Sequence, residues 1–276
     1  MPSYHNDQAA SLRRLMAKPE SSVISVLSAT ADGNQSLLLS NLAAAITGND
    51  RHVLVLHAGE ESIETSRNYG TNALPSLVDV AQKKCSLTQS IKTSKFGFSI
   101  TKLQAKNQNL IPLESTVDEK ISDLFNDLAN RYTLVIADVA LNKNHSLPFS
   151  ALSEGKILIQ MTRDAESIKK AYILIKQICH QFGRRRFGII VSDTGNAHAA
   201  VVFRNIAQVA RRFLAIDLEF YGAIPADVHM IRAAKLGRSV NDAFPRVAAS
   251  IAFKSLAHRL NFQQTRSANI EQTSLA

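Results

Sequence analysis

The residues best placed to do chemistry are Ser28-Ala29-Thr30-Ala31-Asp32-Gly33-Asn34-Gln35-Ser36, between an apolar run at 23–27 and a helical apolar pattern at 37–46. A turn that leads from a buried strand into a helix gathers free backbone N–H groups and the positive end of the helix dipole, and so suits phosphate. Other chemistries find less to build on. The eight histidines form no HExxH motif or close pair, and no GxSxG elbow occurs. Cys85 and Cys179 stand in separate apolar-periodic segments without CxxC or CxxH spacing, which predicts two buried, reduced thiols and no metal site.

The elements that must position the turn are legible. Short apolar runs at 23–27, 53–56, 134–137, 157–160 and 187–191 read as buried strands. Between them Ile121, Leu124, Phe125 and Leu128, then Ile168, Ala171, Tyr172, Ile175 and Ile178, recur at helical spacing. This alternation predicts one doubly wound α/β domain over 23–260, a mainly parallel sheet flanked by helices. Residues 1–22 stand apart: Ala9, Leu12, Leu15 and Met16 form a short helical pattern with Asp7 as N-cap, cut off by Lys18-Pro19-Glu20-Ser21-Ser22. Residues 261–276 are polar and predict a disordered tail.

The 276 residues are 45% hydrophobic and carry a formal charge of +9, which favours an anionic contact without choosing one. No run of about 18 apolar residues is present for a membrane-spanning helix, and Asp7, Gln8, Arg13 and Arg14 interrupt any secretory signal. The expected location is cytoplasmic. Arg184-Arg185-Arg186 follow Gly183, a helix stop, and predict a solvated turn. No groove-reading element or aromatic platform accompanies the basic residues, so direct nucleic-acid binding is not expected.

The turn and the helix after it, Asn41-Leu42-Ala43-Ala44-Ala45, resemble the deviant P-loop of MinD/ParA-type ATPases, S-G-K-G-G-V-G-K-[ST]. Thr30 and Gln35 stand at the two lysine positions of that pattern, Gly33 where a valine is usual, and Ser36 keeps its chemical type. Each lost charge-assisted hydrogen bond to phosphate is worth roughly 1.5–3 kcal/mol. Val53-Leu54-Val55-Leu56-His57-Ala58-Gly59 is similar to the family's V-L-L-L-D-A-D, with His57 and Gly59 replacing both aspartates. Asp138 keeps the acid that in the family helps hold the magnesium shell. Further along, Thr162-Arg163-Asp164-Ala165-Glu166-Ser167-Ile168-Lys169-Lys170-Ala171-Tyr172 resembles T-P-E-P-T-S-I-x-D-A-Y, and Gly222-Ala223-Ile224-Pro225-Ala226-Asp227 resembles G-x-I-P-x-D. Thr30, Gly33, Gln35, Ser36, His57, Asp138, Pro225 and Asp227 therefore read as the remnant of a nucleotide site.

Asp7-Gln8-Ala9-Ala10-Ser11-Leu12-Arg13-Arg14-Leu15 resembles the D-Q-A-x-x-L-R segment of the flagellar-number regulators, the FlhG/FleN branch. That resemblance implies docking onto the flagellar signal-recognition-type (FlhF-like) GTPase and stimulation of its hydrolysis. Asp7, Gln8, Ala9, Leu12, Arg13 and Leu15 are then the partner-binding residues. It also implies restraint of a flagellar master transcription regulator, and a membrane-targeting helix at 248–260. Ile251, Phe253, Lys254, Leu256 and Arg259 are its candidate contacts with the inner face of the cell membrane; packing of this helix against the sheet edge is the equal alternative.

Two mechanisms follow. In the first the protein regulates through contacts, with no catalytic residue and no cofactor. In the second it is an ATPase switch whose turn binds Mg-ATP through backbone N–H groups, Ser36 and Asp138, with a nucleotide-controlled homodimer. A MinD-like accessory of another envelope machine, such as cellulose secretion, is a third alternative.

Overall fold

The computed structural model describes residues 22–30, 34–47, 51–59, 63–104 and 113–273, with the side chains of 261–273 left aside. The strands are β1 (Ser22–Ser28), β2 (Val53–Ala58), β3 (Lys92–Thr93), β4 (Ser99–Lys102), β5 (Leu134–Val139), β6 (Lys156–Met161), β7 (Phe187–Ser192) and β8 (Leu218–Ile224). The helices are α1 (Asn34–Thr47), α2 (Ile63–Tyr69), α3 (Leu77–Ala81), α4 (Ser115–Arg131), α5 (Ala165–Phe182), α6 (Asn196–Leu214), α7 (Val228–Lys235), α8 (Val240–Ala243) and α9 (Ala248–Thr273).

The five apolar runs form the middle of the sheet because helices cover both of its faces, so every residue of such a strand can be apolar. The described strands order as β3-β4-β2-β5-β1-β6-β7-β8. All neighbours are parallel except β3 and β4. Strand parity divides the interior in two. Leu27, Leu54, Leu56, Val135 and Ala137 face a core closed by Phe125 of α4, Ile175 of α5 and Ile206 of α6. Ile24, Val26, Val55 and Ile136 face the other, closed by Leu39 and Leu42 of α1 and Phe253 of α9. The doubly wound sheet expected from the sequence is the sheet observed.

Three strands escaped the sequence pattern. β3 has two residues and β4 four, both too short for periodicity. β8 alternates in burial because it is paired on only one side, so it lacks a continuous apolar run. The two thiols, expected to be buried, are half-buried. Cys179 lies beside the 184–186 turn, and burial pushes its thiol pKa up. That turn is only partly solvated. Gly183 ends α5 at φ 78°, and Arg185 stacks 5.8 Å from the Phe182 ring centre while donating to the Ser153 carbonyl at 2.5 Å.

The C-terminal segment corrects the membrane reading at two positions. Phe253 and Leu256 are 0% and 2% exposed in the core against α1, so neither can enter a lipid surface. Burial of the apolar stripe on this domain wins because β8 and α1 leave a face that would otherwise be wet. Arg259 donates to the Phe220 carbonyl of β8 at 2.6 Å, while Ile251 and Lys254 point outward. The helix also runs on through Thr273, where disorder was expected from 261. A polar composition without Pro or Gly can continue a helix that packing has nucleated.

Phe253→Ala is expected to cost about 3–5 kcal/mol and Ile251→Ala less than about 0.5 kcal/mol, read from urea unfolding at neutral pH. Equal small effects would mean that α9 does not pack on the sheet.

Candidate functional site

All the sequence-predicted pocket residues that are described lie at the carboxyl ends of the parallel strands or just after them. This is the edge where an open α/β sheet binds ligands. His57 and Asp138 occupy the same register position on the adjacent strands β2 and β5. Their parity turns both toward the α1–α2 side of the sheet. His57 Nδ1 stands 3.0 Å from Asp138 Oδ2, and the Tyr69 hydroxyl, at the end of α2, donates to the same oxygen at 2.8 Å. Their exposures are 4, 5 and 2%. With Asp138 as the acceptor, His57 Nδ1 is the donor, and Nε2 is buried without a hydrogen-bond partner among the described residues.

Burial, and then the charge and hydrogen bond of Asp138, push the Tyr69 pKa well above the ordinary phenol value. The phenol therefore stays protonated and keeps donating. A buried carboxylate without partners would cost several kcal/mol, and two protein donors supply what water or a cation would otherwise give.

The first turn is tied inward as well. Ala29 N donates to the Gln160 carbonyl at 2.8 Å, extending the β1–β6 pairing by one bond. The Ser28 and Thr30 hydroxyls lie 2.7 Å apart, and Lys170 Nζ on α5 reaches the Thr30 carbonyl at 3.3 Å. The Gln35 amide folds back to donate to the Val26 carbonyl at 2.7 Å. Ser36, 2% exposed, accepts from Asn68 Nδ2 of α2 at 2.9 Å. Residues 31–33, Gly33 among them, lie outside the described residues, as do 1–21 with Asp7, Gln8, Ala9, Leu12, Arg13 and Leu15.

Pro225 and Asp227 belong to a different neighbourhood. β8 is four strands from β5, about 19 Å at normal strand spacing. Asp227 caps α7 through the His229 N–H at 2.9 Å and accepts from Ala249 N of α9 at 3.2 Å. Burial raises its pKa, but the His229 and Ala249 donors overcome this and hold it below the usual carboxylate range. Between these places, Asp193, at φ 59°, has its pKa raised by burial and then by the charge of Asp164.

Three participants were not singled out from the sequence: Tyr69, Asn68 and Lys170. Tyr69 and Asn68 sit on a seven-residue helix too short to announce a face. Lys170 did leave a signal, since it stands where the pattern T-P-E-P-T-S-I-x-D-A-Y carries an acid. Among the described residues no group of three or more His, Cys, Asp or Glu is placed to hold a metal ion. Ser36 and Asp138 are the side chains a magnesium ion would have to recruit, and each already accepts from a protein donor.

The sheet order and the strand-to-helix turn on its carboxyl edge define the MinD/ParA class of P-loop ATPase fold. The chain superposes on a ParA-family ATPase of Chlorobium tepidum with TM-score 0.66 at 20% identity, over 86% of this chain and 98% of that one. MinD of Aquifex aeolicus gives TM-score 0.64 at 19% identity, over 87% and 96%. No family model matches the sequence. The antiactivator FleN of Pseudomonas aeruginosa is 26% identical over 222 residues, 80% of this chain and 79% of FleN. The chain therefore has the MinD/ParA-type fold, and its sequence is similar to that of FleN.

Because its pKa is raised on folding, Tyr69 contributes stability in full below about pH 10, the phenol's ordinary value, and loses it as pH climbs toward the folded value. Tyr69→Phe is expected to cost about 1.5–3 kcal/mol at neutral pH and to flatten the decline above about pH 10, measured by urea unfolding across that range. Parallel declines in both proteins would refute the Tyr69–Asp138 bond.

Proposed function

We propose that this FlhG/FleN-like protein regulates flagellar number and flagellar gene expression through protein contacts, with the former nucleotide pocket serving as scaffold. The observation that carries this reading is the commitment of Asp138 to His57 and Tyr69. A magnesium ion must displace a hydrogen bond from a buried carboxylate to use it, and the second-strand aspartates that would share the metal are His57 and Gly59. The inward ties of Gln35 and Ser36 support the same conclusion.

The output then lies on the surfaces. The segment Asp7 to Leu15 docks on the flagellar signal-recognition-type GTPase, with Leu12 and Leu15 seated in a groove and Gln8 and Arg13 beside the nucleotide of the partner. The name of its relative FleN, an antiactivator, supports a second contact, with a flagellar transcription activator.

One observation favours the nucleotide-switch alternative. Lys170 brings a cation to the Thr30 carbonyl, beside the turn that lacks both pattern lysines. In that reading Mg-ATP binds through the turn N–H groups and Lys170, and controls a homodimer.

Calorimetric titration with Mg-ATP and Mg-ADP separates the two. No heat of binding up to about 1 mM nucleotide is expected, together with stimulation of the partner GTPase by a peptide of residues 1–22. Micromolar binding that is lost in Lys170→Ala would establish the switch, and an inert peptide would remove the docking role.

A further inference from the structure

Three of the most exposed apolar side chains of the described residues belong to one corner of the fold. Val228, Ile231 and Ile251 are 60, 57 and 58% exposed. Val228 and Ile231 stand one turn apart on α7, and Ile251 lies in the first turn of α9. Asp227 pins the two helix starts together, because its Oδ1 accepts from His229 N and its Oδ2 from Ala249 N. The three side chains therefore emerge on either side of one shared carboxylate.

Further along the same helical faces the apolar side chains give way to cations. Arg232 and Lys235 follow Val228 and Ile231 at i+4 on α7, Lys254 follows Ile251 at i+3 on α9, and Arg246 stands just before α9; all four are exposed. None of the four forms an ion pair among the described residues. The nearby acids are spent. Asp227 is held under the helix starts, and Asp242 takes two hydrogen bonds from Arg238, at 2.6 and 2.9 Å. The corner is an apolar centre with an uncompensated positive rim.

We propose that the α7–α9 corner docks a protein partner through an acidic amphipathic segment. Its apolar side chains cover Val228, Ile231 and Ile251, and its carboxylates meet Arg232, Lys235, Arg246 and Lys254. Charge selects this occupant over a second copy of the chain, since an isologous contact would set two positive rims against each other. A lipid surface fits less well. The apolar centre is built of Val and Ile, whereas helices that lie in a membrane interface present Trp, Phe and Leu. Exposed apolar area rimmed by polar groups is the usual mark of a protein contact. This proposal does not depend on whether the pocket binds nucleotide.

The full chain is titrated, by fluorescence anisotropy, into a labelled synthetic helix carrying Leu at i, i+3, i+4 and i+7 and Glu elsewhere. The same helix with Lys for Glu, and phosphatidylcholine vesicles containing about 30% phosphatidylglycerol, serve as competing probes. The acidic helix is expected to bind, more weakly as salt rises. The double variant Arg232→Glu with Lys235→Glu, and separately Ile231→Ser, should each weaken it about tenfold or more. Lys120→Glu, on the exposed side of α4 across the sheet, should leave it unchanged. Far-UV circular dichroism shows whether each variant is folded, and the two disruptions act on different exposed side chains, so failure of one to fold leaves the other as the test. The proposal is overturned by any of four results: no binding up to about 1 mM, equal binding of both helices, affinity unchanged in folded variants, or vesicle binding tighter than helix binding and lost in the same variants. Self-association abolished by these substitutions would equally overturn it, by making the occupant a second copy.

Discussion

One buried carboxylate constrains the carboxyl edge of this sheet. Asp138 lies on β5, a strand with neighbours on both sides and helices on both faces, so water cannot satisfy it. His57 is its register partner on β2, and Tyr69 comes from α2 to the same oxygen. A strand, its neighbour and the helix above them thus share a single acceptor. The fixed spacing of adjacent strands makes this contact available without distortion. The position of α2 in turn sets Asn68 against Ser36, so the start of α1 is held through the same helix.

The same register explains how the carboxyl edge holds its polar groups turned inward. Strand parity, β1–β6 pairing and the long apolar runs all serve the interior, and they would be needed with or without a ligand. The hydrogen bonds of Gln35 to Val26, Asn68 to Ser36 and Lys170 to Thr30 use groups that face the edge, and each satisfies a donor or acceptor within the chain. A charged or polar group at such an edge must find a partner somewhere. In this protein the partners belong to the fold itself.

On the far side of the sheet edge, Asp227 performs an analogous service for the surface. By capping α7 and accepting from the first turn of α9, it fixes two short stretches of exposed apolar side chain next to each other. α9 is anchored by Phe253 and Leu256 beneath, so its outward residues are free to be selected for contact rather than for stability. Core and surface roles are thereby divided along opposite faces of one helix.

Much was legible in the sequence, because two-sided burial leaves uninterrupted apolar runs and amphipathic helices leave a 3.6-residue period. Five strands, helices α4 and α5 and the doubly wound class all follow from those two signals. His57 and Asp138 could be named from the motifs that carry them. Tertiary structure alone brought Tyr69, 69 positions from Asp138, to the same oxygen, since no local period encodes which residue a short helix will deliver. It alone decided between sheet and membrane for Phe253 and Leu256, because an amphipathic pattern states that one face is apolar and not what covers it. β3 and β4 escaped because two and four residues are too few to show a period, and β8 because a strand paired on one side lacks a continuous apolar run.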